Sequence, residues 1–310
     1  MATPEVPAEM IRRPPARAVR WVEAAVGRGA RVVRTRRLRN AWAAAMHAVD
    51  VEHDGRRHAL VLRRWVRRDF PPDVGVVDNE AAVLSLLATH DLSVPRLVAA
   101  DPAGTECDVP AVLMTRLTGR DELSPADLDG WLDGLAAAHA AIRTVAVPPG
   151  VLGYYRPWGW DTVTAPPPWS SRPDAWARAI EIVHSGVPAT ELVLCHRDFH
   201  PGNVLWSRGR VSGIVDWSHA CRGAPAADIA HCRMNLNTLF DLDAADAFTA
   251  RCAPVEHLPW FDLADVVSLG ESPPEVWRFH DAGRTDLTVR SMIAATDAFV
   301  VQGVERYDGV

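Results

Sequence analysis

HRDFHPGNVLWSRGRVSGIVDW, residues 196–217, sets a carboxylate (Asp198), an amide (Asn203) and a second carboxylate (Asp216) along one short stretch of chain. The apolar run LVLC before it (Leu192–Cys195) and GIVDW at its end (Gly213–Trp217) read as short strands, with Pro201-Gly202 marking a turn in the polar loop between them. Strands on either side of such a loop would bring the three oxygen-bearing side chains together.

A loop of this make-up suits phosphoryl transfer, in which positioning and charge neutralisation do most of the work and little covalent chemistry falls to the protein. Asp198 is expected to accept or orient the proton of an attacking hydroxyl. Asn203 and Asp216 are expected to give oxygen ligands to Mg2+, an ion held by one or two carboxylates together with substrate phosphates. His196-Arg197-Asp198 followed by Asn203 matches H-R-D-x-x-x-x-N, the catalytic-loop pattern of kinases, and Asp216 stands where a metal-binding Asp follows that loop. Zinc on Cys195, His196, His200, Cys221 and Cys232 is a weaker reading, because their spacings match none of the usual Cys/His patterns.

HRDFHPGNVLW followed by IVDW resembles the Brenner-type motif of the aminoglycoside phosphotransferase and choline kinase superfamily, in which Trp commonly follows the metal-binding Asp. Protein kinases tend to have Phe-Gly there. The resemblance runs from about Val32 to Leu236 and implies an α+β, two-lobed protein-kinase-like fold. Its small lobe would be an antiparallel sheet with one main helix, its larger lobe mostly helical. Residues 1–30 would be an extension with a short helix, 31–115 the nucleotide-binding lobe, and 116–310 the helical lobe carrying the catalytic loop 196–203.

The resemblance also implies ATP or GTP as phosphoryl donor and a small-molecule hydroxyl as acceptor. It places Arg63 on the nucleotide phosphates, with Glu80 as the acid that holds it. Thr115 C=O and Leu117 N–H would meet the adenine edge, with Met114 beside the ring, and Asp228 would support the backbone of the catalytic loop. An aminoglycoside-like or amino-sugar acceptor heads the candidates. Choline or another small alcohol stays open, as does a nucleotide-binding regulatory module with little turnover.

All 33 basic residues are arginine, so every cationic contact to phosphate must be made by a planar guanidinium, which can grip two oxygens at once. A net charge of −6 gives no basic footprint for nucleic acid. That charge is uneven: residues 1–90 hold 16 Arg against 10 acids, and residues 237–310 hold 5 Arg against 13 acids. A basic first part suits a nucleotide and an acidic last part suits a cationic acceptor, with Asp241, Asp243, Asp246, Asp262, Asp265, Glu271 and Glu275 as candidate ligands; a solvated acidic surface would look the same. No run of eighteen apolar residues and no signal-type N-terminus occurs, and five cysteines lack a framework spacing, so a cytoplasmic protein with reduced thiols and no membrane contact is expected.

Along the chain, a helix is expected at Ala16–Val26, then strands at Arg31–Arg39, Ala45–His53 and Arg57–Trp65, the last two joined by the hairpin signal Asp54-Gly55. In ALVLRRW the alternation of Leu60 and Leu62 favours Arg63 over Arg64 for the phosphate-facing side. The loop at Asn40–Ala44, where kinases carry glycines, has none. Asp78 is expected to cap a helix at Asn79–His90, and Ser93–Asp101 and Val109–Gly119 to complete a sheet of about five strands. Ser124 is expected to cap the next helix, with His139 on its core face; the aromatics of residues 148–175 would stack on a ligand or anchor the loop. A helix from Pro173 would lead into the catalytic loop, and Asp228 would open the helix after it.

Overall fold

The structure is a computed structural model that describes residues 12–38, 44–66 and 75–309. The chain divides into two compact units, one running to Thr118 and taking in Trp217–His219, the other made of Gly119–Asp216 and the chain from Ala220 on. The glycine-free loop falls outside the described residues except for Ala44, as does the turn at Pro71-Pro72.

The first unit opens with α1 (Ala16–Val26) and then the strands β1 (Arg31–Arg37), β2 (Ala45–His53) and β3 (Arg56–Arg64). Asp54 and Gly55 both take positive φ, 48° and 72°, the geometry a two-residue hairpin of type I′ needs. After α2 (Val76–Leu87) come β4 (Leu97–Asp101) and β5 (Ala111–Thr115). The sheet runs β1-β2-β3-β5-β4 with every pairing antiparallel. Because side chains alternate along a strand, β3 presents two chemistries. Leu60 and Leu62 join Ala18, Trp21 and Val22 of α1 in one core cluster, and Arg64 donates to Asp108, while Arg63 turns to the opposite face and meets Glu80 of α2.

Several local expectations are corrected. Helix α2 begins three residues before Asn79 with Gly75 as its N-cap, because Val76 and Val77 are buried and extend the apolar face; Asp78 sits in the first turn and caps nothing. Both later strands are shorter than their apolar runs, the first starting after Pro95 and the second after Pro110, residues that have no N–H to give a ladder.

The second unit begins with β6 (Arg120–Asp121) and α3 (Leu128–Arg143). Its N-cap is Asp127, whose carboxylate accepts from Gly130 N–H, and not Ser124; the aspartate reaches the orphan amide that Ser124, three residues earlier, does not. His139 is buried on this helix against Phe199, on the core side as expected. Next come α4 (Pro173–His184), β7 (Val193–Cys195), a 3-10 turn (Pro201–Asn203), β8 (Val204–Ser207), β9 (Arg210–Ile214) and β10 (Cys221–Gly223). The helices α5 (Pro225–Leu239), α6 (Leu242–Arg251), α7 (Leu258–Val267), α8 (Trp277–Asp281) and α9 (Val289–Asp308) complete it. Trp176 and Ile180 of α4, Ala226 and Ala230 of α5, Trp260 and Phe261 of α7, and Phe299 of α9 make its main core. Among the described residues no helix is long and apolar enough to cross a membrane. An antiparallel sheet on which α1 and α2 pack, followed by a mostly helical unit, is the kinase-like α+β architecture that the catalytic-loop motif implied.

Candidate phosphoryl-transfer site

The catalytic loop leaves β7 at Cys195, and its backbone is held from beneath by Asp228 of α5. The two carboxylate oxygens accept from His196 N–H and Arg197 N–H, both at 2.7 Å. Asp228 lies in the first turn of a helix that already starts at Pro225, so it does not open the helix; first-turn acids are favoured by the helix dipole, and here the charge is also spent on two amides outside the helix. Burial raises its pKa to about 6 against the pull of those two bonds. Arg197 adopts φ 74°, a left-handed conformation that reverses the chain and delivers Asp198.

Asp198, Asn203 and Asp216 are brought together by local pairing. Asn203 Nδ2 donates to Asp198 O at 2.9 Å and to Asp198 Oδ2 at 3.1 Å, closing the loop on itself. Val204 pairs with Ile214 across the β8–β9 hairpin, and Val215 N–H donates to Asn203 C=O at 2.9 Å, so Asp216 emerges beside Asn203. GIVDW is thus a strand only as far as Ile214: Asp216 has φ 66°, which breaks the extended backbone there. His196 fixes the same junction from the other side, its Nε2 2.9 Å from Val215 C=O. Burial drives the pKa of this imidazole down to about 4, so the ring is neutral and donates to that carbonyl.

With the amide nitrogen of Asn203 committed to Asp198, its Oδ1 is the atom left for a cation. Asn203 Oδ1 and the Asp216 carboxylate are both hard oxygen donors, a type that fits magnesium and gives no soft ligand to zinc. The cysteines of the zinc reading are free thiols, and among the described residues the group able to hold a metal is instead Asp198, His200 and His231. His200 Nδ1 accepts from Gly202 N–H, so its proton sits on Nε2, the nitrogen 3.9 Å from Asp198 Oδ1. A ring in that tautomer has no lone pair to offer a metal on the Asp198 side.

Asp198 itself is about one quarter exposed, enough for an outside hydroxyl to reach it. Burial pushes its pKa up, but His200, His231 and His196 outweigh burial and hold it well below the usual carboxylate range. The largest of these contacts by geometry is one the motif does not announce: His231 Nε2 lies 3.1 Å from Asp198 Oδ1. His231 carries no motif signal of its own. Its position three residues after Asp228 is the available clue, since residues so spaced share a helix face, and the face that supports the loop then also reaches its carboxylate.

In the first unit, Arg63 Nη1 donates to Glu80 Oε1 at 2.8 Å, and both side chains are buried. Met114 is buried in β5 opposite Val61 and Leu97; Thr115 Oγ1 accepts from Arg96 N–H, and Leu117 follows the strand end. The acids proposed as acceptor ligands are mostly committed elsewhere. Asp241 caps α6, Asp262 accepts from Arg233, Asp246 is bound by Arg233 and Arg306, and Glu275 pairs with Arg278. Asp265 accepts from His231, whereas Asp243 and Glu271 are exposed. The aromatic segment anchors its own loop: Trp158 lies 3.5 Å from the Arg197 guanidinium carbon, Tyr155 packs on Phe261, and Trp169 on Trp176.

A family model described as "Phosphotransferase enzyme family" matches residues 51–260, about two thirds of the chain. The chain belongs to the phosphotransferase enzyme family. It is an enzyme of kinase type. No protein of curated function matches this phosphotransferase in sequence. Among solved structures, a putative aminoglycoside phosphotransferase from Ralstonia eutropha JMP134 is 15% identical, covering 89% of this chain and 92% of its own at a TM-score of 0.58. A thermostable mutant of aminoglycoside phosphotransferase APH(4)-Ia is 18% identical, covering 92% and 99% at 0.59. Spectinomycin phosphotransferase APH(9)-Ia, in complex with ADP and spectinomycin, is 10% identical, covering 90% and 94% at 0.54. At these identities the likeness establishes the shared fold.

Proposed function

We propose that this phosphotransferase moves the terminal phosphoryl group of ATP or GTP to a hydroxyl of a small molecule, with an aminoglycoside-like or amino-sugar alcohol as the acceptor class. The observation that carries the reading is the closure of the loop: the Asn203 amide grips the Asp198 carboxylate, and Val215 N–H bonds Asn203 C=O, which brings the chain at Asp216 back to Asn203. Asn203 Oδ1 and Asp216 would hold magnesium, which when bound neutralises phosphate charge. Asp198 orients the acceptor hydroxyl and takes its proton as the new P–O bond forms, while the nucleoside diphosphate leaves with the electron pair of the broken bond. Because Asp198 is a weak base, proton transfer comes late and orientation is its larger contribution, in keeping with a loose transition state. Arg63, steadied by Glu80, supplies the guanidinium for the donor's phosphates, and Met114, Thr115 and Leu117 the base-binding strand end. Support for the acceptor class comes from the solved relatives, which include an APH(4)-Ia mutant with ADP and hygromycin B and APH(9)-Ia with ADP and spectinomycin.

The test is a coupled nucleotide-consumption screen with magnesium across aminoglycosides, amino sugars and choline-like amines. Asp198→Asn should lose at least about 10²-fold in kcat with nucleotide affinity retained. Asn203→Ala and Asp216→Ala should raise the magnesium concentration needed for half-maximal rate. Full turnover in Asp198→Asn, or an unchanged magnesium titration in both other variants, refutes the assignment.

A further inference from the structure

We infer that His231 and Asp265 form a positioning pair for Asp198, in which an imidazole clamped at one nitrogen by Asp265 fixes one oxygen of the Asp198 carboxylate with the other. The inference rests on the reading of Asp198 as the group that meets the acceptor hydroxyl.

A carboxylate on a short side chain is free to rotate unless both oxygens are engaged. Asp198 Oδ2 is engaged by Asn203 Nδ2 at 3.1 Å, and His231 Nε2 engages Oδ1 at 3.1 Å. His231 would in turn be free to swing about its own bonds, but Asp265 of α7 takes its Nδ1 at 2.9 Å and the edge of Trp158 closes one side at 5.7 Å between ring centres. Asp265 is steadied from behind by Arg197, whose Nη1 lies 4.0 Å from Asp265 Oδ1 and whose guanidinium is stacked between Trp158 and Tyr155, at 3.5 and 4.5 Å. The result is a row of alternating charge, Arg197, Asp265, His231, Asp198, that ends on the reacting carboxylate. Its members come from the catalytic loop, α5 and α7, so the loop's chemistry is tied to the helical core and not to its own backbone alone.

An imidazole that faces a carboxylate at each nitrogen donates to both only as the imidazolium. Burial opposes the charge, yet Asp265 and Asp198 outweigh burial and lift His231 to about 10. The titratable and charged groups that face this row are Asp198 and His200 of the catalytic loop, Asp265 of α7, and Arg197 behind it. None of these supplies a second cation in hydrogen-bond contact with Asp198 Oδ1, since His200 stands off at 3.9 Å. The pair therefore acts as a triad turned around: in the familiar arrangement a carboxylate orients a histidine base, whereas here a histidine and its carboxylate orient an aspartate base.

The experiment compares wild type, His231→Gln, Asp265→Asn, the double variant and Asp198→Asn, with kcat and nucleotide KM measured on whichever acceptor the screen identifies. A positioning role predicts that His231→Gln and Asp265→Asn each lower kcat about 10²-fold, the cost of a base displaced by the order of 1 Å, with nucleotide KM changed less than about threefold. The double variant should be no worse than about threefold below either single one, because the two residues act as a unit. A packing role would instead shift melting temperature and KM together and leave kcat per folded enzyme near wild type, which overturns the inference. Nitrogen-15 histidine spectra of the wild-type protein give a readout that needs no variant: His231 should be doubly protonated at pH 8, and a neutral ring there overturns it too. If Asp198→Asn keeps its turnover, the proposed function fails; if that variant is inactive while His231→Gln and Asp265→Asn keep wild-type kcat, only the positioning pair fails.

Discussion

Removing the support beneath the catalytic loop separates stability from catalysis. Asp228 is 1% exposed and gives one oxygen to His196 N–H and the other to Arg197 N–H, each at 2.7 Å. Asp228→Ala strands two buried amides at about 1–3 kcal/mol each but also removes a buried charge, so its net effect is expected to lie between about 1 kcal/mol of gain and about 3 kcal/mol of loss. Asp228→Asn keeps one of the two bonds. With a pKa near 6 in place of 3.8, the ionised carboxylate at pH 7 is held at a cost of about 3 kcal/mol, which a neutral amide relieves. Against that, the NH2 group cannot accept, so one loop amide loses its partner for about 1–3 kcal/mol and meets an opposing donor. The terms nearly cancel, and Asp228→Asn should lie within about 2 kcal/mol of wild type while kcat falls about 10²-fold, because Arg197 and Asp198 lose half the frame that holds a left-handed turn. Urea denaturation at pH 7, turnover in the nucleotide-consumption assay, and hydrogen exchange of the His196 and Arg197 amides measure the three quantities. An Asp228→Ala protein that loses more than about 5 kcal/mol, or an Asp228→Asn protein with wild-type kcat, would refute the reasoning.

The remaining expectations are more local. Glu80→Ala takes the carboxylate from beside a buried guanidinium, so thermal melting and nucleotide calorimetry should show a loss of about 3–5 kcal/mol and at least about tenfold weaker nucleotide binding. His139, which burial holds at about 4 against an ordinary 6.5, binds no proton in the folded chain where the unfolded chain does, so its contribution to stability is present above pH 6.5 and declines as pH falls toward 4. His139→Leu should therefore lose about 2 kcal/mol less than wild type between pH 7 and pH 5 in urea melts, and an identical loss in both proteins would contradict it.

Much of the site was legible because its geometry is short-range. Asp198 and Asn203 are five residues apart in one loop, and Asp216 returns beside them through a hairpin of two short strands, so spacing alone carries the constellation. Strand alternation likewise separates Arg63 from Arg64, since neighbouring side chains on β3 must face opposite ways. Caps and ends were less legible. Asp127 displaced Ser124 because its carboxylate is the one that reaches Gly130 N–H, whereas Gly75 displaced Asp78 because the buried Val76 and Val77 carry the helix back past the polar signal.

What the sequence by itself determined, then, is the spacing that folds Asp198 and Asn203 into one loop and the α+β order of elements, both products of local spacing and period. Which acids are paired inside the molecule, and which histidine meets Asp198, only the tertiary structure decided. Asp262 against Arg233 and Asp265 against His231 join α7 to α5 across about thirty residues of intervening chain, and the rotation of one helix against another is fixed by core packing around Trp260 and Phe261. Helix periodicity says that one face is buried; it does not say what that face will touch.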